Sequence, residues 1–192
     1  PAPACDVCSR SFCPNTTAGA PGPHTPQEHR MALEIERKFL VKGEEWKRLG
    51  TTSVIRQGYL SREIARTVRV RIRDDKAFLT IKGANKGAVR AEFEYAIPKA
   101  DAEAMLENLA LYPLIEKTRT VIEAAGHVWE VDAFFGENEG LVVAEVELAD
   151  ENEALELPPW IGREVTHLPR YFNSALSDRP YCLWSTKEKE GL

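Results

Sequence analysis

The strongest constraint on the fold is a set of short segments in which apolar and charged residues alternate. Successive side chains of a β-strand point to opposite faces, so alternation collects the charges of each segment on one face. Residues 67–73 (TVRVRIR) show this clearly, because arginine at every second position alternates with valine or isoleucine. Similar alternation recurs in eight segments, which predicts a largely antiparallel β-structure with few helices.

The boundaries of the predicted elements follow from this alternation, from turn residues and from helical periodicity. The eight predicted strands cover residues 32–42, 53–61, 67–73, 77–83, 89–97, 114–124, 127–135 and 141–149. Helices are predicted at residues 44–50, 98–111, 151–155 and 172–176, and a hairpin turn at 74–76. Pro98 suits the start of the longest helix, whose apolar face would hold Met105, Leu106 and Leu109.

The distribution of the charges favours a closed sheet. Charged residues on one strand face usually form a solvated surface. Here, however, charges of one sign cluster within strands, as in Glu145 with Glu147 and Lys117 with Arg119, and such clusters repel on an open sheet. The predicted helices are also too few to cover a flat sheet. We therefore predict an α+β fold, an eight-stranded antiparallel β-barrel with a polar, charged lumen and helices packed outside.

A charged lumen is costly unless counter-charges, water or a ligand occupy it. Converging carboxylates suit a hard divalent cation such as Mg²⁺ or Mn²⁺, which prefers oxygen ligands. Arginine and lysine suit phosphate oxygens, and the planar arginine side chain binds them bidentately. A metal and several cations together are typical of phosphoryl transfer, in which positioning and charge stabilisation dominate catalysis.

The order of the charged segments resembles one known family. Residues 34–38 (EIERK) resemble the E-x-E-x-K signature of the CYTH or triphosphate tunnel metalloenzyme superfamily. The resemblance continues in order through RVR, TIK, EFE, EKTR, EVD and EVE, and it spans about residues 32–177. The segments RQGYL and PPWIGREVT resemble the short bacterial branch that acts as inorganic triphosphatases.

The resemblance implies roles for individual residues. The implied ligands of a divalent metal are Glu34, Glu36, Glu92, Glu94, Asp132, Glu145 and Glu147. The implied phosphate-binding residues are Lys38, Arg69, Arg71, Lys82, Lys117, Arg119 and Arg170. The implied catalytic residues are Tyr59, Lys117 and Asp132, which would orient the groups around a water that attacks the terminal phosphorus in line.

The implied activity is metal-dependent hydrolysis of inorganic triphosphate (tripolyphosphate) to pyrophosphate and phosphate, with Mg²⁺ or Mn²⁺ as cofactor. Class IV adenylate cyclase, thiamine triphosphatase and nucleoside triphosphatase are alternatives on the same fold. A non-catalytic polyphosphate-binding module is an alternative of another class. The intact pairs Glu34/Glu36 and Glu145/Glu147 favour catalysis over binding alone. The resemblance leaves both a monomer and a homodimer open.

Composition divides the chain into three parts. Residues 1–30 are rich in proline, alanine, threonine and glycine without periodicity, and they are predicted to be a disordered leader. Residues 31–177 form the predicted CYTH domain, and residues 178–192 a C-terminal tail. Zinc binding within the leader is a further alternative, because its CDVC run resembles the opening of a zinc finger. The proline-rich stretch that follows does not suit the helix such a finger needs.

The remaining composition limits the class of protein. The formal net charge is −5, so a dominant nucleic-acid-binding face is not expected. No apolar run approaches the ~18 residues of a membrane span, and the N-terminus lacks the layout of a secretory signal. The cysteines lie mostly in the leader, and this distribution does not suit disulfide bonds that cross-link the core of a secreted domain. We therefore predict a cytoplasmic protein that contacts neither nucleic acid nor membrane.

Overall fold

The computed structural model describes residues 35–86, 89–150 and 152–192, with the backbone alone for residues 85, 86, 89 and 90. The predicted leader and Glu34 lie outside the described residues, so the predictions made for them stay predictions.

One antiparallel β-sheet dominates the described part of the chain. Its strands are β1 (Ile35–Val41), β2 (Thr51–Ser61), β3 (Arg66–Arg73), β4 (Lys76–Lys86), β5 (Val89–Ile97), β6 (Leu111–Ala124), β7 (His127–Phe134), β8 (Val142–Leu148) and β9 (Ile161–Glu164). Hydrogen bonding orders them β5-β4-β3-β2-β6-β7-β8-β1-β9. The prediction of an antiparallel sheet with few helices is confirmed. Within the described residues, β5 and β9 are not paired with each other, so closure into a barrel stays a prediction.

The alternation seen in the sequence separates two faces of the sheet. We call the face that carries Lys38, Arg71 and Lys117 the charged face, and the opposite one the apolar face. On the apolar face of β1, β7 and β8, the indole of Trp129 lies 5.7 Å from the ring of Phe39 and 5.6 Å from that of Trp160. Burial of each such aromatic side chain contributes roughly 1.5–3 kcal/mol. The tryptophans Trp129 and Trp160 therefore serve in packing.

Helix α1 (Lys99–Asn108) covers the apolar face of β3 and β4. Ala102 and Leu106 are buried there against the valine and isoleucine of β3. The helix is shorter than predicted because the chain turns and Leu111 already begins β6. Leu109 is 63% exposed, so its predicted place in the buried helix face was wrong. None of the described helices has the length and apolar character that crossing a membrane requires.

The segment after β8 corrects two predictions. Residues 152–157 contain no helix, so the helix predicted at 151–155 is wrong over its described part. Ile161–Glu164 instead forms β9, a ninth strand that was not predicted. It pairs with β1 through Phe39 opposite Glu164 and Val41 opposite Ile161. A strand of this length offers too few residues for alternation to be recognised.

Two predicted short helices are confirmed. Residues Glu45–Arg48 form a single 3-10 turn, in which the Trp46 side chain is buried. Helix α2 (Asn173–Leu176) lies within the range predicted near the end of the domain. A further helix, α3 (Thr186–Lys189), begins at a capping box formed by Ser185 and Glu188.

The charged face is not charged along its whole length. At one end of β6, β7 and β8 this face carries the buried apolar side chains of Ile115, Phe134 and Val143. The C-terminal segment packs onto them with Tyr171, Leu176 and Trp184. We call this arrangement the closed end. The lumen was predicted to be polar. The closed end is apolar instead, because β6, β7 and β8 carry apolar residues there in the positions that are charged elsewhere.

The ion pair between His127 and Glu153 links β7 to the loop after β8, with a distance of 2.9 Å between Nε2 and Oε1. The hydrogen bond to Glu153 raises the pKa of His127 above 6.5, and the same bond lowers the pKa of Glu153 below 4.5. The His127 contribution is therefore present below pH 6.5 and is lost as pH rises through the raised pKa. The Glu153 contribution is present above pH 4.5 and is lost as pH falls through the lowered pKa.

We expect His127→Gln to lower the melting temperature most between pH 4.5 and pH 6.5, where both groups are charged. The difference between variant and wild type should shrink in alkaline buffer. Thermal unfolding followed by circular dichroism across this range would check it. A difference that does not change with pH would contradict the assignment of the pair.

Candidate active site

Adjacent strands bring buried charges together on the charged face. β6, β7, β8 and β1 are neighbours, and their registers place Arg119 opposite Asp132 and Lys38 opposite Glu145. Arg119 donates from Nε and Nη2 to the two oxygens of Asp132, at 2.7 and 2.6 Å. It also donates to Glu145 at 3.0 Å and to Glu130. One guanidinium therefore connects carboxylates of two strands and is fully engaged by them.

Lys38 and two glutamates form the second part of this network. The Lys38 ammonium donates to Glu36 and Glu145, both at 2.6 Å. Burial and then the charge of Glu145 raise the pKa of Glu36 to about 7. Burial alone would also raise the pKa of Glu145, but Lys38, Lys117 and Arg119 outweigh it and hold that pKa well below its usual range. Glu145 is therefore the ionised member, and Glu36 titrates near neutrality.

Lys117 has no exposed surface. Its Nζ donates to Asp132 at 2.5 Å and to Asn173 of α2 at 3.1 Å, and it lies 5.2 Å from the centre of the Phe134 ring. Burial lowers the pKa of Lys117 to about 8 despite the attraction of Asp132, with added repulsion from Arg119. A buried amine whose pKa lies close to neutral pH is suited to proton transfer.

β2 and β3 carry a cation-rich region next to this network. Arg71 lies opposite Gln57, and Arg69 lies opposite Tyr59. The Arg71 Nε donates to the neutral Gln57 oxygen at 2.9 Å. Burial lowers the pKa of Arg71 to about 10, with repulsion from Arg69 and Arg119 as the next causes. Cations that repel one another in a buried place attract a polyanion.

β4 and β5 complete the charged face on the other side. Arg69 donates to the Thr80 hydroxyl at 3.1 Å, and Thr80 donates in turn to Glu94 at 2.8 Å. Two residues further along the same two strands, Lys82 and Glu92 form an ion pair of 2.6 Å. Thr80 is almost fully buried, so it acts as a fixed bridge between an arginine and a carboxylate.

The glutamates of the network fit a divalent metal. Glu36 lies directly opposite Glu147, and Glu130 directly opposite Glu145. Like charges that face each other across an antiparallel pair are destabilising, and a divalent cation relieves their repulsion. Among the described residues, no three acidic, histidine or cysteine side chains already converge in a metal-binding arrangement. The carboxylate oxygens therefore suit a divalent metal. To bind it together, the glutamate side chains would have to rotate toward one another.

One predicted phosphate ligand lies apart from the network. Arg170 donates to the carbonyl oxygen of Leu192 at 2.7 Å. Its guanidinium carbon lies 5.5 Å from the centre of the Tyr171 ring and 5.7 Å from that of Trp184. These contacts fix Arg170 against the C-terminal segment, and its phosphate-binding role stays a prediction.

Other predicted and observed site residues also differ. Both oxygens of Asp132 accept hydrogen bonds from protein cations, so its role as a metal ligand stays a prediction. Three residues that contact the network were absent from the predicted site: Gln57, Glu130 and Asn173. Alternation already placed Glu130 beside Asp132, but uncharged amides give no comparable signal.

Comparison with known proteins identifies one family. A family model described as a CYTH domain matches residues 32–179, a range that includes all nine strands. An inorganic triphosphatase of Acetivibrio thermocellus is 50% identical over 151 residues, which cover 79% of this chain and 97% of that protein. An inorganic triphosphatase of Nitrosomonas europaea is 36% identical over 148 residues, covering 75% and 96% respectively. The crystal structure of an inorganic triphosphatase is 33% identical with a TM-score of 0.58, covering 78% of this chain and 96% of that one.

Proposed function

The chain belongs to the CYTH domain family, and from this membership we propose that it hydrolyses inorganic triphosphate to pyrophosphate and phosphate. The names of its two curated relatives support this substrate. Membership implies a divalent metal, and we propose Mg²⁺ or Mn²⁺ because every implied ligand is a carboxylate.

The observation that carries this proposal is the meeting of a cation-rich region and a carboxylate-rich one on the charged face. Arg71 binds a neutral amide rather than a carboxylate, and its nearest charged neighbours include Arg69 and Arg119. On β1 and β8, Glu36 and Glu147 lie directly opposite each other in register, and Lys38 donates to Glu36 at 2.6 Å. A triphosphate would supply an anion to the arginines, and its divalent metal would supply a cation to the facing carboxylates.

The proposed ligands keep the roles implied by the family resemblance. The metal would be held by Glu34, Glu36, Glu145 and Glu147, with Glu92, Glu94 and Asp132 available to a second metal or to the attacking water. The phosphates would be bound by Lys38, Arg69, Arg71, Lys82, Lys117, Arg119 and Arg170. A metal bound there would neutralise part of the phosphate charge and so would favour attack on the terminal phosphorus.

The described side chains supply the remaining chemistry. The neutral amine of Lys117 accepts a proton as a water oxygen bonds to the terminal phosphorus. The bond between that phosphorus and the bridging oxygen breaks, and pyrophosphate leaves with the bonding electrons. Asp132 keeps Lys117 and Arg119 in place through both of its oxygens. Tyr59, which is 5% exposed, orients the reacting groups from the neighbouring strand β2.

Several further predictions remain part of the proposal. The sheet is expected to close into a tunnel around the ligand, since charges of one sign on an open face repel. The protein is expected in the cytoplasm, as a monomer or a homodimer, without nucleic acid or membrane among its partners.

The test is phosphate release from tripolyphosphate, pyrophosphate, ATP and thiamine triphosphate, each with Mg²⁺ or Mn²⁺. We expect release from tripolyphosphate to exceed that from the other substrates and to vanish in EDTA. Cyclic AMP formed from ATP would assign the chain to the cyclases instead. Binding of tripolyphosphate without metal-dependent release from any triphosphate would make it a binding module.

A further inference from the structure

Gln57 is an uncharged residue on the charged face, where this face borders the closed end. It lies on β2 between Arg71 of β3 and Ile115 of β6, which are its partners in register. Its side chain has no exposed surface. Tyr59, two residues along the same strand, points to the same face. The side chain therefore lies between Arg71, a proposed phosphate-binding residue, and Ile115 of the closed end.

Its two polar atoms are used differently. The Gln57 oxygen accepts a hydrogen bond of 2.9 Å from the Arg71 Nε. The Gln57 Nε2 is buried and has no hydrogen-bond partner among the described residues. A buried donor without an acceptor costs about 1–3 kcal/mol, so such groups are normally satisfied. The oxygen fixes the orientation of the amide, and this leaves its two N–H donors directed away from Arg71.

A second buried donor on the neighbouring strand also lacks an acceptor. The Nε of Arg69 is also buried without a partner among the described residues. Arg69 lies on β3, two residues from Arg71, and both point to the charged face. Unused donors on adjacent strands, together with the guanidinium groups beside them, define a place for a ligand that offers only acceptor oxygens.

We propose that Gln57 is a substrate-binding residue, whose oxygen positions Arg71 and whose Nε2 donates to a phosphate oxygen of the triphosphate. This inference rests on the proposed function for the identity of the anion. A neutral donor at this point binds phosphate without adding a further charge to a cluster in which Arg69, Arg71 and Arg119 already repel. It also selects against ligands that present a donor there, because two donors would meet.

Two substitutions separate substrate binding from the positioning of Arg71. Gln57→Glu keeps an acceptor for Arg71 but replaces the donor with an oxygen. Gln57→Met keeps the approximate length and removes both functions. We expect the Kd for tripolyphosphate in EDTA, measured by isothermal titration, to rise about tenfold to a hundredfold in Gln57→Met. The rise should be larger in Gln57→Glu, because its carboxylate also repels the anion. In Mg²⁺, KM should rise by a similar factor and kcat should change less.

Asn138 offers a matched control away from the charged face. It is fully buried, its oxygen accepts from the backbone N–H of Tyr181 at 2.9 Å, and its Nδ2 has no partner among the described residues. We expect Asn138→Asp to bind tripolyphosphate as the wild type does. Thermal unfolding of each variant without ligand shows whether it is folded. If Gln57→Met does not fold, the comparison of Gln57→Glu with wild type decides.

The outcomes are distinct. Weakened binding in Gln57→Glu with unchanged binding in Asn138→Asp supports the inference. Wild-type affinity in Gln57→Glu overturns it, because Gln57 would then only hold Arg71. Wild-type affinity in Gln57→Met overturns it as well, because binding would then not depend on the Gln57 amide. Absence of hydrolysis by the wild-type enzyme overturns the proposed function, while the binding comparison still tests Gln57. No binding by the wild type, with or without Mg²⁺, overturns both.

Discussion

Replacing Lys117 with methionine is expected to lower kcat/KM for tripolyphosphate by about a hundredfold to ten-thousandfold, the range of general acid–base catalysis. Lys117 is the buried amine whose pKa lies at about 8, next to Asp132 and Asn173. Methionine has a similar length and cannot accept a proton. Steady-state phosphate release in Mg²⁺ would measure the loss, and a retained thermal transition would show that the variant is folded.

The pH profile separates proton transfer from charge. In the wild type, kcat/KM should rise with pH through the pKa of about 8, because the neutral amine is the form that accepts a proton. Lys117→Arg keeps the positive charge and the pairing with Asp132 but cannot lose its proton in this range. It should therefore lose activity and this inflection together. An unchanged inflection in Lys117→Arg would assign the titration to another group.

Replacing Glu145 with glutamine is expected to lower metal-dependent turnover by about a hundredfold to a thousandfold. Glu145 connects Lys38 at 2.6 Å with Arg119 at 3.0 Å, and it faces Glu130 across β7 and β8. Glutamine keeps hydrogen-bonding capacity but removes the charge that a divalent cation needs. Activity titrated against Mg²⁺ would show a higher half-saturation concentration together with the lower maximum.

Glu164→Gln is the matched control for this substitution. Glu164 of β9 also sits in an ion pair, with Arg37 at 2.5 Å, but Arg37 alternates with Lys38 and so points to the apolar face. We expect this variant to lose some thermal stability and to keep its dependence on Mg²⁺. An equal loss of metal dependence in both variants would mean that Glu145 affects activity only by stabilising the structure and not by binding the metal.

Alternation in the sequence was sufficient to place most of the sheet. In β3, for example, the strand boundaries and the face of each arginine follow from the period of two, because a wrong register would bury every arginine on the apolar face. The same logic located Lys38 and Glu145 on one face. It did not establish that they are hydrogen-bonded partners, since strand order depends on which apolar faces pack together.

The features that the sequence did not predict have one physical cause in common. Gln57 and Asn173 are uncharged, and their contributions depend on one hydrogen bond each to a side chain distant in sequence. β9 forms by pairing with β1 at the edge of the sheet, and its four residues are too few to predict a strand from their pattern. Leu109 belongs to the apolar pattern of α1 but is exposed, because the chain leaves the helix just before it. Tertiary contacts decide all of these features.

The closed end blocks one end of the candidate active site. Lys117 lies where charged positions give way to Ile115 and Phe134, and Asn173 contacts it from the C-terminal segment beyond. In the proposed function, a linear phosphate chain that reached Lys117 would meet these apolar side chains and could not pass them. Its leading phosphoryl group would lie beside the amine, and the rest would extend toward the arginines. We therefore expect attack at the end of the chain and exit of both products by the route of entry.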